Sequence, residues 1–188
     1  RFDAEWAVFT SAEIGAPHRR ERLYIAATTD TDRGRGNVWR ADETACWETC
    51  AQQPAGHPVA ALMPLLPTPT AKMAPQMRGE RKGSWQPYPN LVDIAESGHD
   101  LADTIWWPAV QHWATVTGTT PPPFVHVGPK GGRTVDARFV EWMMGYRAGW
   151  VTDLGLSNSR ALKLLGNSVQ PQTARLAIRE LTQRLAVA

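Results

Sequence analysis

Residues 15–27 read GAPHRRERLYIAA, and the chain is best read outward from them. Arg19, Arg20 and Arg22 crowd the start of an apolar run. Core strands rarely begin on charge, because a buried charge must be paired. On an extended strand, residues two apart share a face. Arg20 and Arg22 are therefore expected to point the same way, roughly 7 Å apart. Leu23, Ile25 and Ala27 are expected to point the other way, into a core. Arg19 alternates with the pair and reads as ordinary surface. Two guanidinium groups on one face suit a phosphate or a planar base, since each presents a rigid fork of donors. The plainer alternative is solvated charge, or pairing with Glu13 and Glu21.

Two short buried strands flank this reading, EWAVF at 5–9 and RLYIAA at 22–27. Gly15 and Pro17 punctuate the link between them. From Thr28 to about Arg133 the texture changes, with Pro, Gly, Thr and charge in poor periodicity. LMPLLPTPTA (62–71) carries Pro64, Pro67 and Pro69, so it reads as extended or turned. TIWWPAVQHWATV (104–116) predicts a short helix that the following prolines stop. Order returns at Asp136. ARFVEWMMGY (137–146) fits a short helix. Pro171 suits a first helical position, and Ala174, Ala177, Ile178, Leu181 and Leu185 follow it at helical spacing.

Composition sets the outer limits. The 188 residues suffice for one ordinary domain, with 43% hydrophobic and 20% charged residues, so a packed core is expected. A net charge of +2 and a pI near 8.7 do not by themselves indicate nucleic acid. Cys46 and Cys50 make no disulfide framework. With His57 they have loose metal-like spacing but no regular fourth ligand, so no metal site is expected. No apolar run approaches the roughly 18 residues of a membrane helix, and no signal-peptide pattern is seen. A soluble cytoplasmic protein is the expectation. The chain opens on Arg1 rather than Met, which suggests a piece of a longer chain.

GAPHRRERLYIAA resembles the segment of DNA cytosine-5 methyltransferases written G-x-P-Q-R-R-x-R and followed by an apolar strand. LKLLGNSVQPQTARLAI (162–178) resembles that family's closing motif, a G-N-[AS]-V-x-P turn that opens a helix. RFVEWMMGYRAGWVTDL (138–154) is similar to the intervening segment of many phage and actinobacterial members. The three occur in the family's order. Two departures stand out. His18 replaces the usual Gln, and Gly145-Tyr146-Arg147 replaces Gly-Phe-Pro. His18 reads as structural rather than catalytic.

The resemblance implies a fold class, the C-terminal part of a Rossmann-like α/β methyltransferase with an inserted irregular α+β target recognition domain. Residues 1–27 would be the last strands of the catalytic domain and 28–132 the recognition domain. Residues 133–188 would return to the catalytic domain with its closing helix. It implies catalytic roles beside a flipped cytosine for Arg20 and Arg22, and contact with the cofactor S-adenosylmethionine for Asn167, Ser168 and Val169. Phe139, Glu141 and Trp142 would brace. The expected partner is double-stranded DNA, in the setting of DNA methylation and restriction-modification. Base edges in the major groove are read by Arg, Lys, Asn and Gln, so the candidate DNA contacts are Lys72, Gln76, Arg78, Arg81, Lys82 and Asn90. The Trp-rich stretch at 105–113 could stack on bases, but core is the better reading.

Family members attack C6 of cytosine with a Cys thiolate from a Pro-Cys dipeptide, assisted by a Glu in Glu-Asn-Val; C5 then takes the methyl group and loses its proton. The sequence contains neither motif, nor the glycine-rich turn that begins the family's cofactor pocket. The expectation is an isolated chain that is inactive and needs an N-terminal catalytic part, in cis or as a separate chain. A sequence-specific DNA-binding module without catalysis, or an unrelated basic α+β domain, are the alternatives.

Overall fold

The computed structural model describes residues 2–29, 63–70 and 90–187. Strands β1 (Phe2–Thr10) and β2 (Glu21–Thr29) form an antiparallel pair, with Trp6 opposite Ile25 and Phe9 opposite Arg22. A 3-10 turn at Ser11–Ile14 links them. Thr10 and Glu13 cap it reciprocally, each side chain bonding the other's amide. Gly15 ends it in the left-handed conformation (φ 83°), and a Cβ there would sit 3.1 Å from the His112 ring. Helix α1 (Leu91–Glu96), helix α2 (Trp107–Thr117) and the short hairpin β3 (Val125–Val127) to β4 (Arg133–Val135) follow. Helices α3 (Ala137–Met143), α4 (Asn158–Asn167) and α5 (Pro171–Val187) complete the described chain. The described residues form a mixed α/β fold with two small antiparallel sheets.

The larger core gathers Leu91, Ile94, Val110, Trp113, Phe139 and Leu165 with their neighbours, so it takes side chains from both sides of residue 132. The dense tryptophans serve it. Trp113 is 1% exposed and donates its indole N–H to the Trp142 carbonyl (3.0 Å), as a buried indole requires. Trp142 in turn donates to the Thr119 hydroxyl (2.8 Å). Glu141, though charged, is buried beside them, and its carboxylate accepts from the backbone amides of Gly149, Val151 and Thr152 at 2.9, 2.5 and 3.0 Å. That fixes the loop between α3 and α4, so Phe139, Glu141 and Trp142 brace the fold.

A second, smaller core lies between α5 and the β1–β2 pair. Ala177 and Leu181 pack on Phe9, with Tyr24, Ala26 and Leu176 around them. This reverses the expected facing of β2. Alternation does separate Arg22, Tyr24 and Ala26 from Leu23, Ile25 and Ala27, but α5 covers the arginine side. Trp6, Val8, Leu23 and Ile25 are left 65%, 56%, 58% and 67% exposed. The physical reason is that α5 follows the turn at 166–169, and that turn is tethered to the arginine side of the sheet. Ile178 also departs from expectation and is exposed. Two strands span only about 5 Å between their axes, so the helix buries the narrow line of Thr173, Ala177 and Leu181. Among the described residues no helix is long and apolar enough to cross a membrane.

Candidate functional site

The mouth of β2 meets the turn before α5. Arg20 stands one residue before the strand and is 2% exposed. Its guanidinium donates to three backbone carbonyls, Pro69 at 2.9 Å, Gly166 at 3.1 Å and Ser168 at 2.6 Å. A planar fork of five donors can serve acceptors from two chain segments at once. The arginine stretch and the G-N-S-V stretch, far apart in sequence, are thus in direct contact. Arg22 lies two residues on and is exposed, with one hydrogen bond to the Glu21 carbonyl (2.9 Å). Arg19 pairs with Glu21 at the surface (3.0 Å).

Around the turn, Asn167 and Val169 are exposed, and Ser168 spends its hydroxyl on the Leu165 carbonyl (2.7 Å). Tyr146 donates its hydroxyl to the Val169 carbonyl (2.6 Å). Gly145 lies against Gln172, which donates to its carbonyl at 2.6 Å; a Cβ at Gly145 would approach that side chain to 2.5 Å. The segment 63–70 closes the other flank. Leu66 N–H bonds the Pro17 carbonyl (2.7 Å), and the Thr68 hydroxyl bonds the Arg19 carbonyl.

The electrostatics follow from burial. Burial, and then the neighbouring charge of Arg22, lower the Arg20 pKa to about 10, so it stays a cation at neutral pH. His18 is fully buried, and burial followed by the Arg20 charge pushes its pKa down to about 3. Its ring is therefore neutral, and among the described residues neither ring nitrogen has a hydrogen-bond partner. Burial raises the Tyr24 hydroxyl above its ordinary value, against the pull of both arginines.

The site residues read from sequence divide three ways. Arg20, Arg22, Asn167, Ser168 and Val169 come together at this mouth. Asn90 is the N-cap of α1, its side-chain oxygen accepting from Val92 and Asp93. Lys72, Gln76, Arg78, Arg81 and Lys82 lie outside the described residues, as do Cys46, Cys50 and His57. Sequence reasoning missed Tyr146 and Pro69 as members of the site. The Pro69 contact is through a backbone carbonyl, which has no residue signature. Tyr146 carried a weak signal, as a hydroxyl-bearing residue where the similar segments carry Phe.

A cleft of about 340 Å3 lies at the other end of α4, between the β3–β4 hairpin and the helix start, lined by His126, Thr134, Ser157 and Lys163 among others. It shares no residue with the arginine mouth. No family model, curated protein or solved structure matches the chain.

Proposed function

We propose that the chain is the C-terminal part of a DNA cytosine-5 methyltransferase, with a Rossmann-like catalytic fold completed by a further polypeptide part. The observation that supports this most is the contact of Arg20 with Gly166 and Ser168. Two segments that resemble separate motifs of the family adjoin through side chain and backbone, as parts of one site should. In this reading Arg22 is the cation open to a flipped cytosine and its phosphate. Asn167 and Val169 face S-adenosylmethionine, which supplies the electrophilic methyl group. The fit is partial. Asn167 offers an exposed amide, and the start of the 17-residue α5 favours a carboxylate. The Ser168 hydroxyl is already engaged within the chain. Residues 71–89, with their four basic side chains, belong to the DNA reader in this proposal.

The nucleophilic Cys and most of the cofactor pocket come from the other part. The bare sheet face supports such a part. Trp6, Val8, Leu23 and Ile25 form an exposed apolar patch on the order of 400 Å2, within the size range of the largest patches on monomers, which are often functional. The test is co-expression with an N-terminal methyltransferase part that carries the Pro-Cys dipeptide. The pair should transfer labelled methyl to duplex DNA. Failure on every double-stranded DNA offered would sink the enzyme reading and leave the DNA-binding module. Arg22→Ala should lower methyl transfer about a hundredfold with much less loss of DNA binding; equal losses would make Arg22 a phosphate anchor only. Asn167→Ala should raise the apparent Kd for S-adenosylmethionine about tenfold, and an unchanged Kd would remove it from the site.

A further inference from the structure

We propose that Arg20 is a positioning residue that sets the shape of the Gly166–Val169 turn, and that Arg22 alone of the pair meets substrate. The assignment of that turn to a cofactor rests on the reading above; the clamp itself does not. One guanidinium nitrogen, Nη2, takes the carbonyls of both Gly166 and Ser168, while Nη1 takes Pro69. In a trans peptide the C=O and the following N–H point opposite ways. With the Ser168 carbonyl drawn inward to Arg20, the Val169 N–H is turned away from it, toward the side where Asn167 and Val169 are exposed. Arg20 therefore orients the donors that a ligand would meet while standing behind them. At 2% exposure, with both terminal nitrogens engaged by three carbonyls and Nε buried without a partner among the described residues, it has no exposed face to offer a base.

Tyr146 is a second, weaker brace on the same turn through the Val169 carbonyl. A phenylalanine there would lack the bond. The two braces come from different segments, the residue before β2 and the stretch after α3, and Tyr146 also packs against the larger core. Lysine cannot replace Arg20, because a point charge on a flexible stem lacks the fork that spans two segments.

The test is amide hydrogen exchange on the full chain, comparing wild type with Arg20→Lys, Arg20→Gln, Tyr146→Phe and Arg22→Ala. Both Arg20 variants should speed exchange across 166–170 about tenfold, Tyr146→Phe should do so less, and α2 should be unchanged. Arg22→Ala should leave the turn as in wild type. Wild-type exchange in Arg20→Lys, equal loosening by Arg22→Ala, or loss of protection throughout α2 in both Arg20 variants would each overturn the proposal. In the reconstituted enzyme Arg20→Lys should raise the KM for S-adenosylmethionine about tenfold with little change in kcat, whereas Arg22→Ala should lower kcat. A reconstituted pair with no activity, but with the exchange contrast intact, defeats the cofactor reading and supports the clamp.

Discussion

Glu141→Ala is expected to lower the stability of the chain by about 3–5 kcal/mol, read by urea unfolding. The carboxylate is 1% exposed, and it accepts from three backbone amides and from the Thr152 hydroxyl (2.9 Å). Alanine leaves those donors without their acceptor. A hydrogen bond to a charged group contributes about 1.5–3 kcal/mol, and an orphaned buried donor costs about 1–3. The sum is less than additive, because a loop released from its anchor can reach water. Glu141→Gln keeps one acceptor oxygen but turns an NH2 group toward amide donors, so it should recover about half of the loss. The same substitution should expose 147–154 to limited proteolysis, since Glu141 pins both Gly149 and Val151 there. A loss under about 1 kcal/mol from Glu141→Ala would show that the loop is held by its own packing instead.

Periodicity made the regular elements legible, and it fell short where the partner was far away in sequence. Strands were readable at 5–9 and 22–27, and helices at 104–116, 137–146 and from Pro171, because each carries its own alternation or helical spacing. The two faces of β2 were separable for the same reason. Which face would be buried was not readable, since that depends on where a helix some 150 residues later returns. Helix α1 carries Asn90 with Asp93 three positions on, a capping box written in the sequence but without a long periodic run behind it. The β3–β4 hairpin has three residues in each strand, too few for alternation to register. At the site, the residue types were readable and the division of labour was not. Arg20 and Arg22 look alike as letters. They differ because one faces the carbonyls of Pro69, Gly166 and Ser168, which any residue could supply.

His18 should make the fold acid-labile well above the range where carboxylates titrate. Burial first, and the charge of Arg20 second, hold its pKa near 3 in the folded chain against an ordinary 6.5. Above pH 6.5 the ring is neutral in both the folded and the unfolded chain, so His18 adds no pH dependence there. As the pH falls below that value the unfolded chain takes up a proton that the folded chain refuses. Stability is then lost at about 1.4 kcal/mol per pH unit, continuing until the folded pKa is reached. Between pH 7 and pH 5 the loss from this group should be about 2 kcal/mol. His18→Gln has nothing to titrate, and its amide can take up hydrogen bonds that the neutral ring leaves unmade. Its stability should therefore be nearly flat from pH 7 to pH 5. The measurement is urea unfolding of both chains at those two pH values, with the imidazole shifts of His18 followed by NMR. The ring resonances should not move with pH in this interval. Parallel stability profiles for wild type and His18→Gln, or a His18 ring that titrates near 6, would mean that water reaches the ring and that Arg20 does not share a dry pocket with it.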